Sequence, residues 1–100
     1  MANFVRYTAT AGTSFTVLNS GGPTNSAIVI GLVAANSSST TADTIDVRVG
    51  TTHYLVFSAP VPVGSTLSVL DGKVVLNAGD EIAVRSGNGT VDVSLSILEL

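Results

Sequence analysis

Val91-Asp92-Val93-Ser94-Leu95-Ser96-Ile97 decides the fold class. Apolar side chains occupy every second position, with Asp92, Ser94 and Ser96 between them. In an extended chain successive side chains point to opposite faces, so this stretch makes a strand with one dry face and one wet face. A helix would scatter the same apolar residues around its circumference. The segment Asp80 to Ser86 repeats the pattern, with Ile82 and Val84 inward and Glu81 and Arg85 outward. Gly87-Asn88-Gly89 separates the two and tolerates positive φ, so the pair reads as a hairpin.

The same alternation extends toward the N-terminus. In Thr44 to Val49, Ile45, Val47 and Val49 point inward and Asp46 and Arg48 outward. Gly50-Thr51-Thr52 then turns the chain into His53 to Phe57. Ser65 to Leu70 and Lys73 to Leu76 flank Asp71-Gly72, which reads as a two-residue hairpin. Asn77 to Asp80 is a further turn. Phe4 to Thr8 and Ser14 to Leu18 are strands joined around Gly12, and Ser20 to Asn25 is a loop. Ala27 to Ala35 is apolar on both faces, with Ile28, Ile30 and Leu32 opposite Val29 and Val33. Such a strand is either central in a sheet or faces a subunit interface. Asn36 to Thr41 is too hydrophilic to pack and is expected to be an exposed, mobile loop. Pro60 and Pro62 exclude a central strand there and suggest a stiff crossover between sheets or an edge segment.

No helical period, internal repeat or linker interrupts this series. Residues 1–100 are therefore expected to form one all-β domain, a small antiparallel β-sandwich of about eight short strands, Ig-like or jelly-roll-like. Val47, Ile82, Val84, Val93 and Leu95 are expected in its core.

Composition bounds what such a domain can do. Charged residues are 11 % of the chain, against about 25 % in ordinary globular domains, and Thr, Ser, Asn and Gly replace them. A low-charge, hydroxyl-rich surface is easy to desolvate. It suits a protein whose surface is covered by partners, and a freely diffusing monomer usually keeps more charge. Net charge is −3, and the four basic residues Arg6, Arg48, Lys73 and Arg85 are not expected to cluster. A nucleic-acid partner is not expected, because neutralising phosphates needs a basic patch. Met1-Ala2-Asn3-Phe4 lacks a basic start followed by an apolar run, and Ala27 to Ala35 is far short of a bilayer span. No membrane partner is expected, and synthesis in a cytoplasm is.

A search for chemistry gives no site. Cysteine is absent and His53 is the only histidine, so a zinc site of two His or of His and Cys has no ligands within one chain. A lone strand histidine beside a turn reads as a surface residue. Asp43 and Asp46 do not match the spacing of a calcium loop. Asp71 and Asp80 belong to turns. Gly21-Gly22-Pro23-Thr24 lacks the lysine of a phosphate-binding loop. The rings of Phe4, Tyr7, Phe15, Tyr54 and Phe57 are scattered in sequence and read as core. No catalytic residue, cofactor or metal is expected.

Four stretches resemble a family of small virion proteins of tailed bacteriophages. They are Ile30 to Ser38, Thr44-Ile45-Asp46-Val47-Arg48-Val49, Pro60-Val61-Pro62-Val63-Gly64-Ser65-Thr66-Leu67, and Leu76 to Val84 with Val91 to Glu99. They cover about residues 28 to 99. The resemblance implies a structural virion component without catalytic residues, on the capsid, tail or neck. It leads us to expect a capsid cement or decoration protein that binds the major capsid protein or another virion protein and resides in the virion. A tail or neck accessory protein is the alternative. A receptor- or glycan-binding tail-tip module is the second alternative, and it would want exposed aromatics or a metal.

The small chain, sparse charge and two-faced apolar strand further predict a homo-oligomer. The resemblance implies a trimer in particular, because a cement protein can match the local threefold positions of an icosahedral shell. Ile28, Ile30, Leu32, Pro60, Val61, Pro62 and Val63 are its expected interface residues.

Overall fold

Alternation builds most strands of this chain, and bulges redirect two of them. The computed structural model describes residues 3–69 and 74–100. Among these the strands are β1 (Asn3–Ala11), β2 (Thr16–Val17), β3 (Ala27–Asn36), β4 (Asp43–Val49), β5 (His53–Val61), β6 (Thr66–Ser68), β7 (Val74–Leu76), β8 (Ile82–Ser86) and β9 (Val91–Glu99). No helix occurs among the described residues. All pairings are antiparallel.

The strands form two sheets. One has the order β1-β9-β3-β6, with β7 also on β3, and the other has the order β2-β8-β4-β5. β6 and β7 both pair with the same edge of β3, β6 against Val33 to Ala35 and β7 against Ala27 to Val29. They therefore run in line as one interrupted strand. Counted so, the two four-stranded orders are those of an eight-stranded jelly roll, which settles the choice left open between Ig-like and jelly-roll-like.

This arrangement corrects one reading of the sequence. Among the described residues, the segments flanking Asp71-Gly72 each pair with β3 and not with each other. The turn itself lies outside the described residues.

The inner faces make a single core. Leu32, Ile45, Leu76, Ile82, Leu95, Ile97, Val29, Val47, Val61, Val84 and Val91 are its largest fully enclosed side chains. The five positions expected there, Val47, Ile82, Val84, Val93 and Leu95, are all buried. Tyr7 also packs on this core from β1.

β3 is central, between β9 and the β6/β7 edge. Its register on β9 shifts between Val29 and Gly31, which leaves Ile30 as the extra residue of a bulge. A bulge reverses the phase of alternation downstream. Leu32 consequently joins Val29 in the core, whereas strict alternation puts them on opposite faces. Leu32 and Val61, both expected at a subunit interface, are instead 0 % exposed.

β5 is an edge strand that accommodates Pro60 opposite Thr44. The chain then crosses to the other sheet through Pro62 to Ser65, where the Ser65 N–H and hydroxyl both donate to the Pro62 carbonyl (3.1 and 2.7 Å). The two prolines thus serve the edge and the crossover that the sequence suggests.

Ser37, Ser39, Thr40 and Thr41 are exposed as expected, and Asn36, at the end of β3, anchors the run. Asn36 is buried, and its amide donates to the carbonyls of Thr41 (2.8 Å) and Val61 (3.0 Å). Its side-chain oxygen accepts from Ser38 N–H and from the Thr90 hydroxyl. Asn36 is polar because it makes this network.

Candidate binding surfaces

The outer face of the five-stranded sheet carries an apolar row. Phe4 lies opposite Leu98, Leu98 opposite Ile28, and Ile28 opposite Val75. Four large apolar side chains therefore line up across β1, β9, β3 and β7, at the spacing where cross-strand neighbours touch. Phe4 is 75 % exposed and Val75 67 %, with Ile28 and Leu98 half-buried between them. Ile30, pushed out by the bulge, is 46 % exposed and lines a shallow hollow with Phe4, Arg6 and Ser96. Toward the other end the same face turns polar. Thr8, Thr10, Asp92 and Ser94 line it with Val33 and Ala35, and the Thr10 hydroxyl donates to Asp92 (2.7 Å).

The seven expected interface residues do not share one surface. Ile28 and Ile30 belong to the apolar row. Leu32 and Val61 are core. Pro60, Pro62 and Val63 are exposed on the edge and crossover of the other sheet. Phe4, Val75 and Leu98 complete the row and were not expected there, because only the sheet order brings β1, β9 and β7 beside Ile28.

The outer face of the four-stranded sheet holds a second cluster. Hairpin register puts Arg48 opposite Tyr54, and the β4–β8 ladder puts Asp46 opposite Arg85. Phe15, just before β2, lies beneath two guanidinium groups, with Arg48 3.5 Å and Arg85 4.4 Å from its ring centroid. Tyr54 tilts against Phe15 at 6.1 Å and meets Phe57 edge to face at 5.1 Å. Phe57 is 67 % exposed and Tyr54 40 %.

Asp46 organises this cluster. Its Oδ2 accepts from Arg85 Nη2 (2.7 Å) and Nε (3.0 Å), and its Oδ1 accepts from the Ser58 N–H (2.7 Å). The Asp46 carboxylate beside Arg85 raises that guanidinium's pKa above its ordinary value, so Arg85 stays charged. Arg48 differs. Its Nε is buried without a hydrogen-bond partner, and no carboxylate pairs with it among the described residues.

Three of the five aromatic residues thus meet on a surface, where the sequence reading placed all five in the core. Two signals pointed that way: Arg48 and Arg85 alternate outward on their strands, and counting back through the Gly50 turn aligns Tyr54 with Arg48. Nothing local announces Phe15, whose strand joins the sheet through β8, far along the chain.

Asp43 forms a third polar centre, at the end of the sandwich. It is buried, and its carboxylate accepts from Thr44 N–H (2.7 Å), Asn88 N–H (2.9 Å), Thr90 N–H (3.1 Å) and the Thr90 hydroxyl (2.8 Å). Burial opposes its charge, but these hydrogen bonds outweigh burial and hold its pKa below the ordinary value. Every partner belongs to a strand end or to the β8–β9 turn, so this centre knits loops together.

His53 is exposed at the start of β5. Among the described residues, no three His, Cys, Asp or Glu side chains gather closely enough to hold a metal ion. The chain matches no protein-family model, and neither curated proteins nor solved structures include a significant match.

Proposed function

We propose that this chain is a non-enzymatic structural component of a tailed-bacteriophage virion, a cement protein that docks as a homotrimer on the assembled capsid shell and stabilises it. The observation that carries the reading is the row Phe4–Leu98–Ile28–Val75. Contiguous apolar surface of this kind marks an interaction site on a small soluble domain. Three copies of one sheet face can meet around an axis, as cyclic symmetry requires of identical subunits. A trimer also multiplies weak contacts with the shell into avid binding. The resemblance over residues 28 to 99 supports the virion setting. Jelly rolls occur in viral capsid domains and in lectins alike, so the fold alone does not carry the function.

A tail or neck accessory protein would use the same surfaces at a different copy number. Quantitative mass spectrometry of purified virions separates the two. Symmetric coverage of a shell predicts copies on the order of hundreds. A single ring's worth of copies would move the protein to the neck or tail, and absence from the virion would refute the virion reading altogether.

A further inference from the structure

We propose that the Phe15–Arg48–Tyr54–Phe57 cluster is a recognition site for a protein segment that presents one Asp or Glu carboxylate beside an apolar side chain. This inference does not depend on the virion reading.

Charge selects the ligand's sign and size. The chain is acidic overall, yet two of its four basic side chains converge on one ring. Asp46 already neutralises Arg85. Arg48 is left as the one cation of the cluster without a carboxylate among the described residues. One guanidinium without a carboxylate matches one carboxylate, and with Nε enclosed the contact falls to its Nη groups. A nucleic-acid strand would need several such cations.

Ring geometry selects a protein segment over a sugar or a base. A sugar or a base needs an open aromatic face, and Phe15's is taken by guanidinium groups. Tyr54 and Phe57 stand edge to face at 88°, so they offer ring surfaces at right angles instead of one flat platform. Exposed ring surfaces of this kind can pack an apolar side chain. Phe, Tyr and Arg are also the residue types enriched at protein interfaces, with Tyr and Arg prominent among their energetic centres.

The site is set before any ligand arrives. Ser58, next to Phe57, has φ of 54° within a bulge of β5, and Asp46 fixes it through its N–H. Asp46 holds this strained backbone beside the exposed Phe57 ring without any ligand. This lowers the ordering cost of binding.

The test is an NMR titration of the ¹⁵N-labelled full chain with acetyl-Phe-Asp-amide, acetyl-Phe-Asn-amide and sodium glucuronate. The acidic dipeptide should give saturable shifts at Phe15, Tyr54, Phe57 and the Arg48 Nε–H. Acetyl-Phe-Asn-amide should bind about tenfold more weakly, as should the Arg48→Gln variant toward the acidic dipeptide, the loss of one charge-assisted contact. Phe57→Ser, a change at an exposed position that spares the core, should weaken binding as well. Equal binding of both dipeptides, no saturable shift with either, or a response to glucuronate alone would each overturn the proposal.

Discussion

Asp46 Oδ1 accepts the backbone N–H of Ser58 at 2.7 Å, and Ser58 is the only non-glycine residue with positive φ among the described residues. One carboxylate therefore holds a strained bulge with one oxygen and Arg85 with the other. Asp46→Ala should lower stability, because it removes the acceptor that holds the Ser58 N–H and Arg85, although water reaches both partly exposed donors and replaces part of the loss. Ser58→Gly should be neutral or stabilising, since glycine adopts the left-handed region without strain. Urea denaturation measures both, and equal losses in the two variants would show that the bulge is not held as described.

Leu95→Ala should cost about 2–4 kcal/mol, the range for truncating a large buried aliphatic side chain. Leu95 is fully enclosed and faces the opposite sheet with Val93 and Ile97. A cost below about 0.5 kcal/mol would mean that β9 presents its other face to the core.

Gly22 has φ of 71°, and a Cβ there would lie 2.3 Å from the carbonyl carbon of Gly79. Gly22→Ala should therefore cost more than about 2 kcal/mol, from left-handed strain together with a backbone overlap that no rotamer relieves. Thermal unfolding reports it as a lower Tm.

Asp43 predicts the acid limb of stability. Its folded pKa lies below the ordinary value, so its contribution is complete above the unfolded value of about 3.9 and is lost as pH falls through the folded value. Asp43→Asn should destabilise the protein at neutral pH by about 1.5–3 kcal/mol. It should also flatten the pH dependence below about pH 4. An unchanged acid limb in the variant would assign that limb to other carboxylates.

Side-chain period made the strand faces readable, because alternation needs no knowledge of partners. Val47, Ile82, Val84, Val93 and Leu95 illustrate this. The misreadings come from non-local pairing. Ile30 looks like any residue of an apolar strand, and only the β9 ladder reveals it as the bulge that turns Leu32 inward. Asp71-Gly72 carries a strong hairpin signal, but β3 competes for both flanking segments. Phe4, Leu98, Ile28 and Val75 are up to 94 residues apart in sequence, from Phe4 to Leu98, and only the jelly-roll order makes them neighbours. The Phe15 cluster was hidden for the same reason.

The central claim is that the chain associates through the outer face of its five-stranded sheet. Light scattering at micromolar concentration tests it on the unmodified protein and on a Phe4→Ser, Val75→Ser double variant, whose changes lie at exposed positions. The account predicts a mass near three times 10.1 kDa for the unmodified protein, falling toward one chain in the variant. A mass of 10.1 kDa for the unmodified protein, or a trimer that survives both substitutions, would contradict it.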